Sequence, residues 1–150
     1  MRDQGDELSN ILVREFKYPG DFPAARLLWE KAGPGIHLRR SDEPVEIEKK
    51  LLRDPDLFLI AEIDGKMVGT VLGGFDGRRG MVYHLAVSGQ YRRQGIGELL
   101  MNQLEHRLKA KGCIRCYLLV TVENAEAISF YEKRGWSHMD YVHIYGKDLE

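Results

Sequence analysis

Residues Leu85-Ala86-Val87-Ser88-Gly89-Gln90-Tyr91-Arg92-Arg93-Gln94-Gly95-Ile96-Gly97 set an Arg-x-x-Gly-x-Gly turn between an apolar strand and a sixteen-residue amphipathic run. Glycine at two positions lets backbone come close to a ligand. The helix that begins there aims its free N–H groups and the positive end of its dipole at whatever lies in front. Phosphate binding is the first chemistry this pattern suggests.

Working outward, Ile96, Leu99, Leu100, Leu104 and Leu108 fall on one stripe of a helix over Ile96 to Lys111, which Gly112 ends. Upstream the period is that of strands. Leu57 to Ile63, Met67 to Leu72 and Met81 to Val87 predict a three-stranded antiparallel meander, its turns marked by Asp64-Gly65 and Asp76-Gly77. Two helices precede it. Asp21 is the expected cap of one that starts at Phe22-Pro23, and Ser41 or Asp42 the expected cap of another over Pro44 to Arg53, which Asp54-Pro55 stops. Downstream, Ile114 to Val122 reads as a strand, Asn124 as the cap of a helix running to Arg134, and Gly135 as its C′ residue. Trp136 to Tyr141 and Val142 to Lys147 suggest a closing strand pair. No repeat or linker divides the chain, so residues 9–150 read as one domain behind a disordered tail over residues 1–8.

Composition narrows the partners. The sequence has 22 Lys+Arg against 23 Asp+Glu and a net charge of -1, which gives no global electrostatic case for nucleic acid or a membrane surface. The polar start resembles no signal peptide and no apolar run is long enough to span a bilayer, so the expected location is cytoplasmic. Cys113 and Cys116 form a lone Cys-x-x-Cys with no second pair at zinc spacing, and read as reduced structural thiols. The five histidines make no ligand pattern, and no metal is expected.

The glycine turn lacks the Gly-Lys-Ser/Thr of a Walker loop and the three glycines of a dinucleotide fingerprint. What sharpens it is Tyr131, seven residues after Asn124. Seven residues is close to two helical turns, so both lie near one helix face. The strand Leu85-Ala86-Val87, the loop Arg92 to Gly97 and the closing element Asn124-Ala125-Glu126-Ala127-Ile128-Ser129-Phe130-Tyr131-Glu132-Lys133-Arg134-Gly135-Trp136 together resemble the GCN5-related N-acetyltransferases. The likeness spans Leu57 to Trp136, and Gly69 to Gly80 is similar to the bacterial branch labelled YpeA-like.

That resemblance implies an α/β fold: a mixed, mostly antiparallel sheet of six to seven strands, about four flanking helices, and strands four and five splayed apart. It implies acetyl-coenzyme A as co-substrate. Backbone amides of Arg93, Gln94, Gly95, Ile96 and Gly97 would hold the pyrophosphate, with Arg92 counted among the cofactor-binding residues, the edge of Leu85, Ala86 and Val87 would pair with the pantetheine amides, and Asn124 would contact the pantetheine arm. Tyr131 would sit by the sulfur and assist thiolate departure. Ordinary pKa values of about 10 for Tyr and 8.5 for a thiol make full proton transfer uphill by roughly 2 kcal/mol, which favours hydrogen bonding or late transfer.

One departure stands out. Positions where many relatives carry a glutamate base hold Met81 and Leu119. Tyr83 shares the strand face of Leu85 and is a candidate for the acceptor side, with packing as the plainer reading. At pH 7 an α-amine of pKa about 7.8 is neutral in roughly one molecule in seven, a lysine at about 10.4 in roughly one in 2500. A small-molecule or peptide amine of low pKa is therefore the expected acceptor. Arg39, Arg40, Arg78 and Arg79 are candidates to attract an acidic one, or else solvated loop charges. The rival function, suggested by the absent base, is a catalytically weak acyl-coenzyme A sensor. Homodimers are common in the family, and the closing strands are the candidate interface.

Overall fold

Strand β1 (Ile11–Glu15) opens a five-stranded sheet of order β1-β2-β3-β4-β5 in the computed structural model, which describes residues 10–150. The tail expected over residues 1–8 lies outside the described residues. Strands β2 (Phe58–Ile63), β3 (Lys66–Phe75) and β4 (Arg79–Val87) form the antiparallel meander, and β5 (Arg115–Leu118) joins β4 in parallel. Asp64 and Gly65, at φ +50° and +78°, make the tight β2–β3 turn the sequence signals, because both central residues of such a turn need positive φ.

The chain divides into two compact units, one reaching to Leu119 and one over Val120–Glu150. In the first, helices cover both faces of the sheet. Helices α1 (Phe22–Glu30) and α2 (Pro44–Arg53) bury Phe22, Ala25, Trp29 and Ile47 against Phe16, Phe58, Ile60, Leu72 and Ala86. Helix α3 (Ile96–Ala110) covers the opposite face with Ile96, Leu100, Leu104 and Leu108. It comes so close that a Cβ on Gly69 would lie 2.9 Å from Leu100 Cδ1, and one on Gly73 2.6 Å from Leu104 Cδ1. Burial on both faces explains why Leu57 to Ala61 reads as a continuous apolar run rather than an alternation, broken only at Glu62 near the end of β2. No helix among the described residues is long and apolar enough to cross a membrane.

Several expectations are corrected. The sheet has five strands among the described residues, and the closing pair over Trp136 to Lys147 does not form: the segment carries no strand, and Tyr141, Ile144 and Tyr145 are exposed. Its centre, Met139 to Val142, lacks the Asn-Gly or Gly-x pair that folds a two-residue hairpin, and an isolated hairpin is marginal in any case. Asp21 holds the N-cap position of α1 but makes no cap bond. Its carboxylate takes Arg14 Nη1 and Nη2 at 2.7 and 2.9 Å and the Lys17 amide at 2.7 Å. The cap of α2 is Glu43 rather than Ser41 or Asp42.

Candidate active site

The ladder between β4 and β5 covers Arg79–Val82 against Arg115–Leu118 and stops there. β5 ends with that ladder, while β4 continues from Tyr83 to Val87 with a ladder on the β3 side only among the described residues, so this edge of β4 is left open. The β3–β4 register shifts between Thr70 and Leu72, and His84 in the shifted stretch has φ +48°. Bulges of this kind bend a strand and re-aim its side chains. Tyr83, first past the last rung, is 41 % exposed, and desolvation raises its phenol above the ordinary value.

His84 turns its ring toward α1, 4.9 Å from Trp29. Its Nε2 meets Asp42 Oδ1 at 2.6 Å, and Asp42 Oδ2 accepts the Arg39 amide at 3.0 Å. Burial works against the ionised Asp42, but the imidazole and the Arg39 amide outweigh it and hold the carboxyl below its usual range. By sequence His84 is a packed or surface residue and Asp42 shares with Ser41 the expected place of a helix cap. They are 42 positions apart, and no local pattern links them.

After β4, a short turn over Gly89–Tyr91 leads into the loop. Arg93 and Gly95 take φ +63° and +85°, and Gly95 is the N-cap of α3 without a side-chain cap bond. The amides of Arg93, Gln94, Gly95, Ile96 and Gly97 donate to no other group among the described residues. Such a row, at the positive end of a fifteen-residue helix, suits an oxyanion. Buried Ile96 anchors the helix under it. The Arg92 side chain is exposed but folds back on the protein: Nε donates to the Val87 carbonyl at 3.3 Å and Nη2 to that of Ala32 at 3.0 Å. Its side chain therefore ties the loop to the ends of β4 and α1, leaving the ligand-facing work to amides.

Arg78 and Arg79 lie at the start of β4. Arg79 and Arg115 both lean on the Tyr117 ring, at 5.9 and 5.3 Å from its centroid. Arg79 lies four positions along the strand from Tyr83, about 13 Å at the usual rise. Arg39 flanks Asp42. The two cysteines are free, and burial, with the neighbouring Cys113 adding, pushes the Cys116 thiol up to about 11, an unreactive range. Among the described residues no group of three or more His, Cys, Asp and Glu side chains is arranged to hold a metal ion.

In the second unit, α4 (Ala125–Lys133) is capped as the sequence predicts: Asn124 Oδ1 accepts the Ala127 amide at 3.1 Å. Tyr131 is packed edge-on to Phe130 and Trp136, with centroids 5.2 and 5.9 Å away. Burial pushes its phenol up to about 12. Gly135 follows the helix at φ +90°.

A sheet whose fourth strand runs on past the end of its ladder with the fifth, followed by a glycine loop of free amides at a helix start, is the layout the opening sequence pointed to. The family model described as Acetyltransferase (GNAT) family matches residues 10–136. The chain belongs to the GNAT acetyltransferase family. It is 42% identical over 138 residues to Acetyltransferase SG1711 of Sodalis glossinidius (strain morsitans), covering 91% of this chain and 94% of that one. It is also 42% identical over 130 residues to Acetyltransferase ECA0875 of Pectobacterium atrosepticum, covering 86% and 89%. Among solved structures it is similar to the PaiA N-acetyltransferase from Thermoplasma acidophilum in complex with coenzyme A, with a TM-score of 0.73 and 24% identity over 85% of this chain and 89% of that one. At that identity the likeness speaks for the GNAT fold alone.

Proposed function

We propose that this GNAT chain transfers the acetyl group of acetyl-coenzyme A to a primary amine, which attacks the thioester directly. The free amides of Arg93 to Gly97 carry the reading. Five donors at a helix start fit a pyrophosphate, and the β4 edge past Val82 offers backbone to the amide-bearing arm of the same molecule. The relative solved with coenzyme A accords with that fit.

In this reading Leu85, Ala86 and Val87 take the pantetheine, and Asn124 touches it through the part of its side chain not spent on the cap. Tyr131 donates to the leaving sulfur. A thiolate develops charge as the C–S bond breaks, and a fixed hydroxyl donor lowers the cost of that charge. Alignment of amine and thioester supplies much of the rate. The acceptor is a small-molecule or peptide amine of low pKa.

Thiol release from acetyl-coenzyme A against a broad amine panel, run beside calorimetric binding of the co-substrate, tests the proposal. Binding with amine-dependent thiol release is the expected result. Binding without release from any amine favours an acyl-coenzyme A sensor, and absence of binding overturns both.

A further inference from the structure

Neither Met81 nor Leu119 provides a carboxylate, yet the incoming amine must lose a proton before it attacks. The opened stretch of β4 holds another group suited to the task. The His84–Asp42 contact is 2.6 Å, with side chains only 16% and 11% exposed. An ionised carboxylate can only accept, so the imidazole proton on this contact sits on Nε2. That leaves Nδ1 with a free lone pair, and no other polar group among the described residues bonds it. The ring is fixed from behind by Trp29, and the His84 carbonyl accepts the Thr70 hydroxyl at 3.0 Å. A left-handed backbone at a non-glycine residue is retained only where the surroundings enforce it, and such residues gather at functional sites.

We propose that His84, oriented by Asp42, is the base that takes the proton from the incoming amine. The inference rests on the reading that an amine is acetylated at the opened edge of β4. An ammonium group passes one proton to Nδ1, and the freed nitrogen lone pair forms the C–N bond at the thioester carbonyl. The C–S bond then breaks with its electron pair on sulfur, the second nitrogen proton neutralises the thiolate, and the imidazolium returns its proton to water. One amide, one thiol and one proton result for each ammonium and thioester consumed. Asp42 supports the charged imidazolium by the contact that sets the tautomer.

Asp42 is the charge in contact with the ring. Trp29 from α1 and Thr70 from β3 are neutral, Arg39 acts on Asp42 through its backbone amide and through its guanidinium charge, and Lys50 of α2, which shares this face of the sheet beside Tyr83, is paired with Asp54.

The test uses the amine that gives the fastest thiol release, with wild type, His84→Gln and Asp42→Asn assayed from pH 6 to 9.5 and acetyl-coenzyme A affinity measured in parallel. His84→Gln is expected to lower kcat by about 100-fold or more while co-substrate affinity stays within about twofold, and to abolish the rising limb of the pH profile. Asp42→Asn is expected to lower kcat and to weaken the preference of the imidazole proton for Nε2 in the nitrogen spectrum, because the carboxylate that sets the tautomer is gone. Nitrogen NMR of labelled wild type is expected to show the proton on Nε2, a readout that holds even if His84→Gln folds poorly. A rising limb that survives His84→Gln with kcat within about threefold, or a proton on Nδ1, overturns the proposal. Wild type that binds acetyl-coenzyme A but turns over no amine instead overturns the reading beneath it.

Discussion

Trp29 Nε1 donates to the Thr70 hydroxyl at 3.0 Å, and both side chains are fully buried, with 1% and 0% exposed. The hydroxyl in turn donates to the His84 carbonyl at 3.0 Å, so one oxygen serves both a buried indole and a partly buried carbonyl. Thr70→Val keeps the shape and removes that oxygen. It should cost about 2–4 kcal/mol, the penalty for stranding a buried donor and an acceptor. Urea unfolding measures this, and a loss below about 0.5 kcal/mol would show that the indole finds another partner.

Gly73 prepares a second, purely steric prediction. A Cβ there would meet Leu104 Cδ1 at 2.6 Å, Cδ2 at 3.3 Å and Cγ at 3.4 Å, so the whole leucine must move rather than one methyl. Gly73→Ala should destabilise by about 1–3 kcal/mol, and Leu104→Ala alone by about 2–5 kcal/mol. Because the smaller residue at 104 makes room for the larger one at 73, the double variant should lose clearly less than the sum. Additive losses would mean that α3 does not rest on Gly73.

These contacts mark what could be read in advance. The β2–β3–β4 meander, the turn at Asp64-Gly65, the α3 stripe and the Asn124 cap follow from local patterns, and the structure places them within three residues, the largest difference being β3, which runs on to Phe75. Strand β1 was missed although Ile11-Leu12-Val13 is β-rich, because five residues near a polar start carry too little period to declare themselves. Asp21, and Ser41 or Asp42, suit a cap by residue type and position. Tertiary partners claimed both aspartates: Arg14 the first, His84 the second. The loop of the site was legible through its glycines. The His84–Asp42 pair was not, because it depends on a bulge that turns one side chain out of the strand alternation.

Gly95 tests the loop itself. Its φ is +85° and a Cβ would find nothing within 4 Å, so any effect of a side chain comes through the backbone. Gly95→Ala should cost about 1–2 kcal/mol of local conformational energy, and if the loop amides hold the pyrophosphate, acetyl-coenzyme A affinity should fall about 10-fold or more as the amides re-aim. Gly95→Asn should lose much less, since Asn tolerates left-handed backbone. Calorimetry on the three proteins decides it. Equal affinity in all three would remove the loop from the binding site.

Tyr131 carries the last prediction. With its phenol pushed up to about 12 by burial, the hydroxyl remains a donor across pH 6–9, so no limb of the rate profile in that range should belong to it. Tyr131→Phe keeps the ring packed against Phe130 and Trp136 and removes only the donor. Turnover should fall about 100-fold while acetyl-coenzyme A affinity holds, and the shape of the pH profile should not change. The same burial has a consequence for stability. An unfolded tyrosine ionises near pH 10 and the folded one later, so the unfolded chain sheds its proton first and the stabilisation is lost as pH rises from about 10 toward 12. Tyr131→Phe should flatten that alkaline loss in a thermal denaturation series. An alkaline limb that disappears from the rate profile with the hydroxyl would instead mean that the phenol ionises within the working range, and the donor role would fail.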